Sequence, residues 1–453
     1  MRRFVAPAFA LLTVVAFAVP FVVSGCASSP SEGQTHGPVF EFDGAVPVTP
    51  DGGESDDATT PVGTNEASAG DAPSPLGDAT VDGAGHEGGA SDDAGEPFGA
   101  DCGSPTVVVA GSGSSLVGAL AVGTGAFTTQ TLTGSLAVAP AIVASSGGFQ
   151  AMLAMNVDAG GGDALFGVGL AGTTWSSPAA LGESAGTIDG PAIAAMGSTV
   201  QGVYLNPNHL YFHAQFDGTS WDTGTDKVEV GAAPQSFGPV RASVAATAAE
   251  LVMAYEGNDA HLYAQSWTSG GGWQSAVEVG TLKLGTNIAP AIIALSAPES
   301  DGGTSDFLVV YAVASTATPP LNYINYALRD AASKTWSSPA LTNITAYTPY
   351  EPSLAAMSGG RAIVGWRGGN NLPYTMEFDP APTPTWTVPT PIASVTIDAA
   401  PSLATGTCGY DAVAALATNG AVTVANYTSD AWIPPTPIAG ISGAAYAAIA
   451  TSP

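Results

Sequence analysis

Positive charge is scarce in this chain: 9 Lys plus Arg face 38 Asp plus Glu among 453 residues, a net charge of -29. So few cations cannot neutralise a phosphate backbone, which excludes nucleic acid as a partner. Cysteine is rarer still, with three in all and no Cys-x-x-Cys. The five histidines are His36, His86, His209, His213 and His261. His209 and His213 are four apart in a strand-like stretch, without the helical spacing of a metalloprotease pair, so neither metal nor cofactor is expected. Long helical periodicity is missing from residue 102 onward. Yet 45% of residues are hydrophobic and only 10% charged, which is not the balance of a uniformly disordered chain.

Three segments differ in composition. In the first, Arg2 and Arg3 precede an apolar run from Phe4 to Val23 that contains Pro7 and Pro20 and closes on Val23-Ser24-Gly25-Cys26. That ending resembles the lipobox of bacterial lipoproteins. The resemblance implies that residues 1–25 are a signal peptide and that Cys26 begins the mature chain and carries the lipid. Contact with a membrane would then be through the lipid anchor only. An uncleaved signal anchor is the alternative. Ala27 and Ser28 lack the Asp that commonly retains such proteins at an inner membrane, so outer membrane or cell surface is the expected location.

Residues 26–101 form the second segment. From Ala27 to Asp101 there are 16 Asp or Glu, no Lys or Arg, and only three aromatics, Phe40, Phe42 and Phe98. Such a stretch cannot bury enough apolar surface to offset the entropy of ordering, so a disordered acidic linker is expected. As a flexible coil it would span roughly 50 Å. Asp51-Gly-Gly-Glu-Ser-Asp-Asp57 lacks the glycine turn and closing Glu of a calcium loop, and reads as solvated linker.

With Cys26 lipidated, Cys102 and Cys408 remain. An even pair in an exported protein predicts a disulfide; two free buried thiols are the alternative.

Residues 102–453 carry a repeat. Pro140-Ala-Ile-Val-Ala144, Pro191-Ala-Ile-Ala-Ala195, Pro239-Val-Arg-Ala-Ser243, Pro290-Ala-Ile-Ile-Ala294, Pro352-Ser-Leu-Ala-Ala356 and Pro401-Ser-Leu-Ala-Thr405 recur at intervals of 51, 48, 51, 62 and 49. Each phrase is followed by an apolar stretch, which in four repeats ends in an aromatic (Tyr204, Tyr255, Tyr311, Trp366). A Gly/Asn-rich turn and a third strand-like piece come next. A tryptophan opens the fourth piece in six repeats: Trp175, Trp221, Trp273, Trp336, Trp386 and Trp432. Four short strands per fifty residues describe one blade of a β-propeller. Ser104 to Leu136 has the later strands of a blade but no proline phrase, and Gly443 to Ala450 supplies a matching strand at the other end. The expected fold is therefore all-β: a seven-bladed β-propeller closed by its C-terminal strand.

Catalytic patterns do not survive inspection. Gly182-Glu-Ser-Ala-Gly186 has the form of a serine esterase elbow, but it leads into a strand phrase at Pro191 rather than a helix, and reads as a connector. A glycosidase needs a carboxylate pair across a cleft, which sequence alone does not assign. Sialidase-like propellers use three arginines. Here residues 102–453 hold only Arg241, Arg329, Arg361 and Arg367, and Asp217-Gly-Thr-Ser-Trp221 departs from the Asp-box spacing. No enzyme is expected.

The candidate binding residues lie in three repeats: Tyr204, Asn206, Asn208 and Tyr211; Tyr255, Glu256, Asn258 and Tyr263; Trp366, Arg367, Asn370, Asn371 and Tyr374. Each group sets aromatics on neighbouring strands with amides or charges at the turn between. That combination suits a sugar ring, whose C–H faces stack on aromatics while its hydroxyls are hydrogen-bonded. Asn and Gly are also ordinary turn residues and Tyr an ordinary strand residue, so blade construction explains the same pattern. Asn208-His-Leu-Tyr-Phe-His-Ala-Gln-Phe-Asp-Gly-Thr-Ser-Trp221 and Ala260-His-Leu-Tyr-Ala-Gln-Ser-Trp267, with Gly272-Trp273, resemble the bacterial seven-bladed lectin propellers of the fucose-binding type. The resemblance implies shallow sugar sites between blades, read by aromatics, Arg and Glu; the pattern falters in blades one, two and seven. The expected function is a surface-anchored, non-catalytic propeller that binds carbohydrate. The alternative is a protein-interaction scaffold of the cell envelope with an extracellular protein ligand, and third comes a sialidase-like glycoside hydrolase.

Overall fold

A computed structural model describes residues 102–452 apart from 157–162, 182–185, 188, 223–225, 228–239, 286, 296–304, 316–321, 343–345, 381–382 and 429–430. The expected signal peptide, Cys26 and the expected acidic linker lie outside the described residues, as does nearly all of the Gly182–Gly186 phrase. Strands alternate apolar residues with short turns, and seven antiparallel sheets result. Among the described residues the only helical element is a single 3-10 turn, Ser358–Gly360.

In six blades four strands follow one another from the inside outward. The inner strands are Ala141–Ser145, Ala192–Met196, Ser243–Ala246, Ala291–Ala294, Ser353–Ala356 and Ser402–Thr405 in blades two to seven. Blade one draws its second, third and outer strands from Pro105–Ser112, Ser115–Val122 and Thr128–Thr131, and its inner strand, Tyr446–Thr451, from the other end of the chain. Each inner strand lies beside the inner strands of both flanking blades, so the ring closes. The seam between blades seven and one is tied by Ile449 N donating to Ser402 Oγ at 3.2 Å. Cys102 and Cys408 are disulfide-bonded across the same seam, with Cα atoms 5.3 Å apart.

Each blade is too thin to have a core of its own. Apolar residues therefore cluster between blades, with one buried cluster at each of the seven junctions. The tryptophans explain much of this packing, because each reaches back to the third strand of the preceding blade. A Cβ on Gly118 would lie 2.4 Å from Trp175, and one on Gly167 would lie 2.5 Å from Trp221. At the corresponding position Tyr326 meets Trp386 edge-on at 5.4 Å, and Thr375 Oγ1 accepts the Trp432 indole N–H at 2.8 Å.

The repeat alignment needs one correction, in blade four. Its inner strand starts at Ser243, so Ala242 occupies the place taken by Pro191, Pro290 and Pro352 in other blades. The sequence phrase beginning at Pro239 is out of step with it by three residues, and Arg241 thereby moves to the ring of residues just ahead of the inner strands.

Because the sheets are antiparallel, the starts of the inner strands and the turns between second and third strands share one end of the ring. The turns between inner and second strands lie at the other end. Cys102 leads into a second strand and Cys408 follows an inner strand, so the disulfide lies at that other end.

Candidate functional site

Three turns at the first end share one backbone design. Asn206, Gly257 and Gly368 donate their N–H to Leu210, His261 and Leu372 carbonyls, each at 2.9 Å. The third turn residue is left-handed in every case: His209 at φ 55, Ala260 at φ 65 and Asn371 at φ 64. The side chains at the bend mostly serve the turn itself. Asn206 Oδ1 accepts from Asn208 N and Leu210 N, Asp259 Oδ1 from His261 N, and Asn370 Oδ1 from Leu372 N. Asn208 and Asn258 are exposed at the tips.

Register fixes which aromatics pair. Tyr204 is opposite Phe212, Tyr255 opposite Tyr263 and Trp366 opposite Tyr374. The three pairs stack at 5.6, 5.8 and 5.8 Å between ring centroids. Blade three therefore uses Phe212 where the sequence pattern suggested Tyr211. Tyr211 points to the other face of its sheet, fully buried, and donates its hydroxyl to Val240 O at 2.6 Å. Gly257 and Gly368 let the tyrosines approach, since a Cβ on either would lie 2.6 or 2.8 Å from the Tyr263 or Tyr374 ring. Asp259 accepts the Tyr263 hydroxyl, and Asn370 Nδ2 donates to the Tyr374 hydroxyl.

Around the ring, the position of these second-strand aromatics reads Ala110, Leu153, Tyr204, Tyr255, Tyr311, Trp366 and Leu416. All seven are buried. This is a core position facing the preceding blade, and its aromatics fill the junction. The next residue faces the following blade and reads Gly111, Ala154, Leu205, Glu256, Ala312, Arg367 and Ala417. Two blades thus place a charge where five place a small or apolar residue.

Glu256 is only 6% exposed, and its Oε2 has no hydrogen-bond partner among the described residues. Burial, aided by the nearby Asp259 carboxylate, pushes its carboxyl up to about 7. Arg367 is better anchored. Its Nη1 donates to Asp398 O and its Nη2 to Asn371 Oδ1, both at 2.7 Å, and its guanidinium lies 4.2 Å over the Tyr350 ring.

Tyr350 leads to the axis. A cavity of about 320 Å³ opens there, lined among others by Asn287, Tyr350, Asp398 and Tyr446. By register, the inner-strand-side positions opposite Gly111, Ala154, Leu205, Glu256, Ala312, Arg367 and Ala417 read Tyr446, Ala139, Gly190, Arg241, Ala289, Glu351 and Ala400. Arg241 of blade four reaches Glu351 of blade six with Nη2 to Oε1 at 2.5 Å. Asp189 holds the Arg241 backbone, accepting its N–H at 2.8 Å.

Sequence reading did not single out Arg241 or Glu351 as site residues. The signal is the ring comparison, charge against Ala and Gly, and it needs the blade-four register. His209 sits in a turn rather than on a strand. His213 is core: it bonds Gln201 Oε1 at 2.8 Å and meets Trp267 and Trp273 edge-on at 4.7 and 5.4 Å. Asp217 is a turn acid, whose carboxyl is lowered to about 2 by bonds from Ser220 N and from the hydroxyl and N–H of Thr219.

No family model matches the chain, and no curated protein matches it. Solved structures do match. The BP39L lectin from Burkholderia pseudomallei superposes with a TM-score of 0.58 at 15% identity, over 75% of this chain and 96% of that one. A protein from Lactobacillus plantarum gives 0.51 at 12% identity, over 76% and 99%. The Aleuria aurantia lectin, a six-bladed propeller, reaches 0.43 at 14% identity, over 67% and 97%. At such identities the fold is what is shared. The protein is a seven-bladed β-propeller of the architecture found in the BP39L lectin.

Proposed function

We propose that the chain is a surface-anchored, non-catalytic binding propeller whose ligand is carbohydrate. The observation that carries this reading is the pair Glu256 and Arg367, ionisable side chains on a ring of otherwise small or apolar residues, each beside tyrosines and turn Asn or Asp. Sugars are bound by apolar faces combined with charge-assisted hydrogen bonds to hydroxyls. The lectin-like fold supports the reading, and the lipobox-like ending at Cys26 with its acidic linker supports display on the outer membrane or cell surface. Many anchored copies would raise the avidity of weak single sites.

Glycan-array binding by the full chain in detergent tests it. A subset of glycans should bind, and Arg367→Ala should weaken that binding at least tenfold. An array without signal sinks the reading, and a stoichiometric protein partner from envelope extracts would put a scaffold role in its place.

A further inference from the structure

The axial cavity has a composition that follows from closing the ring. Four of the seven register-equivalent residues at the entry to the inner strands, Ala139, Gly190, Ala289 and Ala400, are Ala or Gly, so the space between them stays empty. Arg241 and Glu351 meet across it, skipping blade five. One Nη2 hydrogen goes to Glu351; among the described residues the other guanidinium donors have no protein partner, and neither does Glu351 Oε2. Tyr350 and Tyr446 also line the cavity. Tyr350 is held from behind by Arg367 at 4.2 Å, which makes Arg367 a positioning residue for the cavity.

The chemistry of this arrangement selects a ligand. A large anion would meet the carboxylates of Glu351 and Asp398 beside a single lining cation, Arg241. A wholly apolar ligand would strip water from the ion pair without replacing its hydrogen bonds. A neutral polyol does neither. Two adjacent hydroxyls can each accept from the guanidinium and donate to the carboxylate, while the ring's C–H face lies on tyrosine. About 320 Å³ is at the small end of ligand sites, enough for one sugar ring with the rest of a glycan outside.

Building on the carbohydrate reading, we propose that the axial cavity is the site for one neutral sugar ring, recognised through a vicinal diol that accepts from the remaining guanidinium donors of Arg241 and donates to Glu351 Oε2.

The test uses the full chain in detergent on a glycan array. Methyl α-mannopyranoside, methyl β-galactopyranoside and methyl α-fucopyranoside serve as competitors, each beside a counterpart lacking one hydroxyl of a diol. At least one parent glycoside should displace bound glycan, its deoxy counterpart at least tenfold less well. Arg241→Ala and Glu351→Ala should each weaken array binding at least tenfold. The double change Arg241→Met, Glu351→Met removes the charges and keeps side-chain bulk, so it should keep the melting temperature and lose binding. Binding by that double variant within twofold of wild type overturns the cavity site while leaving the carbohydrate reading intact. Equal inhibition by every parent and deoxy competitor, or by none, overturns the diol. No array signal from wild type fells the broader reading instead.

Discussion

Arg329 of blade five grips Glu250 of blade four with both arms of its guanidinium, Nη1 to Oε1 at 3.0 Å and Nη2 to Oε2 at 2.6 Å. Its remaining donors go to Asp306 and Ser266, and its plane lies 4.5 Å from the Phe307 ring. All five N–H groups are used on a side chain only 2% exposed. Burial alone would raise the two carboxyls, but the bonds and charge of Arg329, joined by Lys334 and, for Glu250, the Ser266 hydroxyl, outweigh it and hold Glu250 and Asp306 below their ordinary 4.5 and 3.8. Arg329→Met leaves the two acids with only the half-exposed Lys334, whose Nζ lies 2.7 Å from Asp306 Oδ2 and 3.6 Å from Glu250 Oε2, and should cost about 3 kcal/mol by urea unfolding at pH 7. Stability from depressed carboxyls is present above the unfolded pKa and lost as pH falls through the folded one. The deficit of the variant should therefore shrink below about pH 4; a deficit unchanged down to pH 3 would refute the charge account.

The disulfide makes a second prediction. It joins residues 306 apart and closes the chain around the ring, so its loss frees the unfolded state greatly. Cys102→Ser and Cys408→Ser should each lower stability by about 2–5 kcal/mol, with the double variant no worse than either. Additive losses would mean that the cysteines act by packing rather than through their bond.

Glu256 predicts a pH dependence of the opposite sign. Its folded carboxyl, near 7, stands above the ordinary 4.5. The protonated form is favoured by folding, so its contribution is complete below pH 4.5 and is lost as pH rises through 7. Asp259, on its own turn, and Tyr211 of blade three interact with it electrostatically. Glu256→Leu copies Leu205 at the matching place in blade three. At pH 8 it should be more stable than wild type by about 2 kcal/mol, with the gain fading towards pH 4.5. Thermal melts across that range decide it.

Trp366 is a poor probe of ligand binding because it is 2% exposed in the blade five–six junction. Trp366→Ala should cost about 3–5 kcal/mol of stability, whereas Asn208→Ala and Asn258→Ala, at exposed turn tips, should change stability by less than about 0.5 kcal/mol. Denaturation midpoints of the three variants give the comparison.

The blades were legible in the sequence because Pro and Trp mark the start of the inner strand and of the outer piece at near-constant intervals. The closure was legible because the two chain ends carry complementary parts of one blade. Register was harder. Tyr211 and Phe212 are neighbours, and a shift of one residue exchanges the faces of a strand; only the pairing of Phe212 with Tyr204 separates them. The aromatic turns also looked like surfaces, whereas Tyr204, Tyr255 and Trp366 fill blade junctions. Arg241 and Glu351 are 110 positions apart, and they meet only because seven sheets complete a circle, which no local pattern encodes.

The position of Cys102 keeps the entry of the chain into the ring away from the axial cavity. The polypeptide entering at that cysteine arrives on the far side of the disc from the sugar-sized opening. The strand that Cys102 leads into thus begins at the end of the ring opposite the Arg241–Glu351 pair.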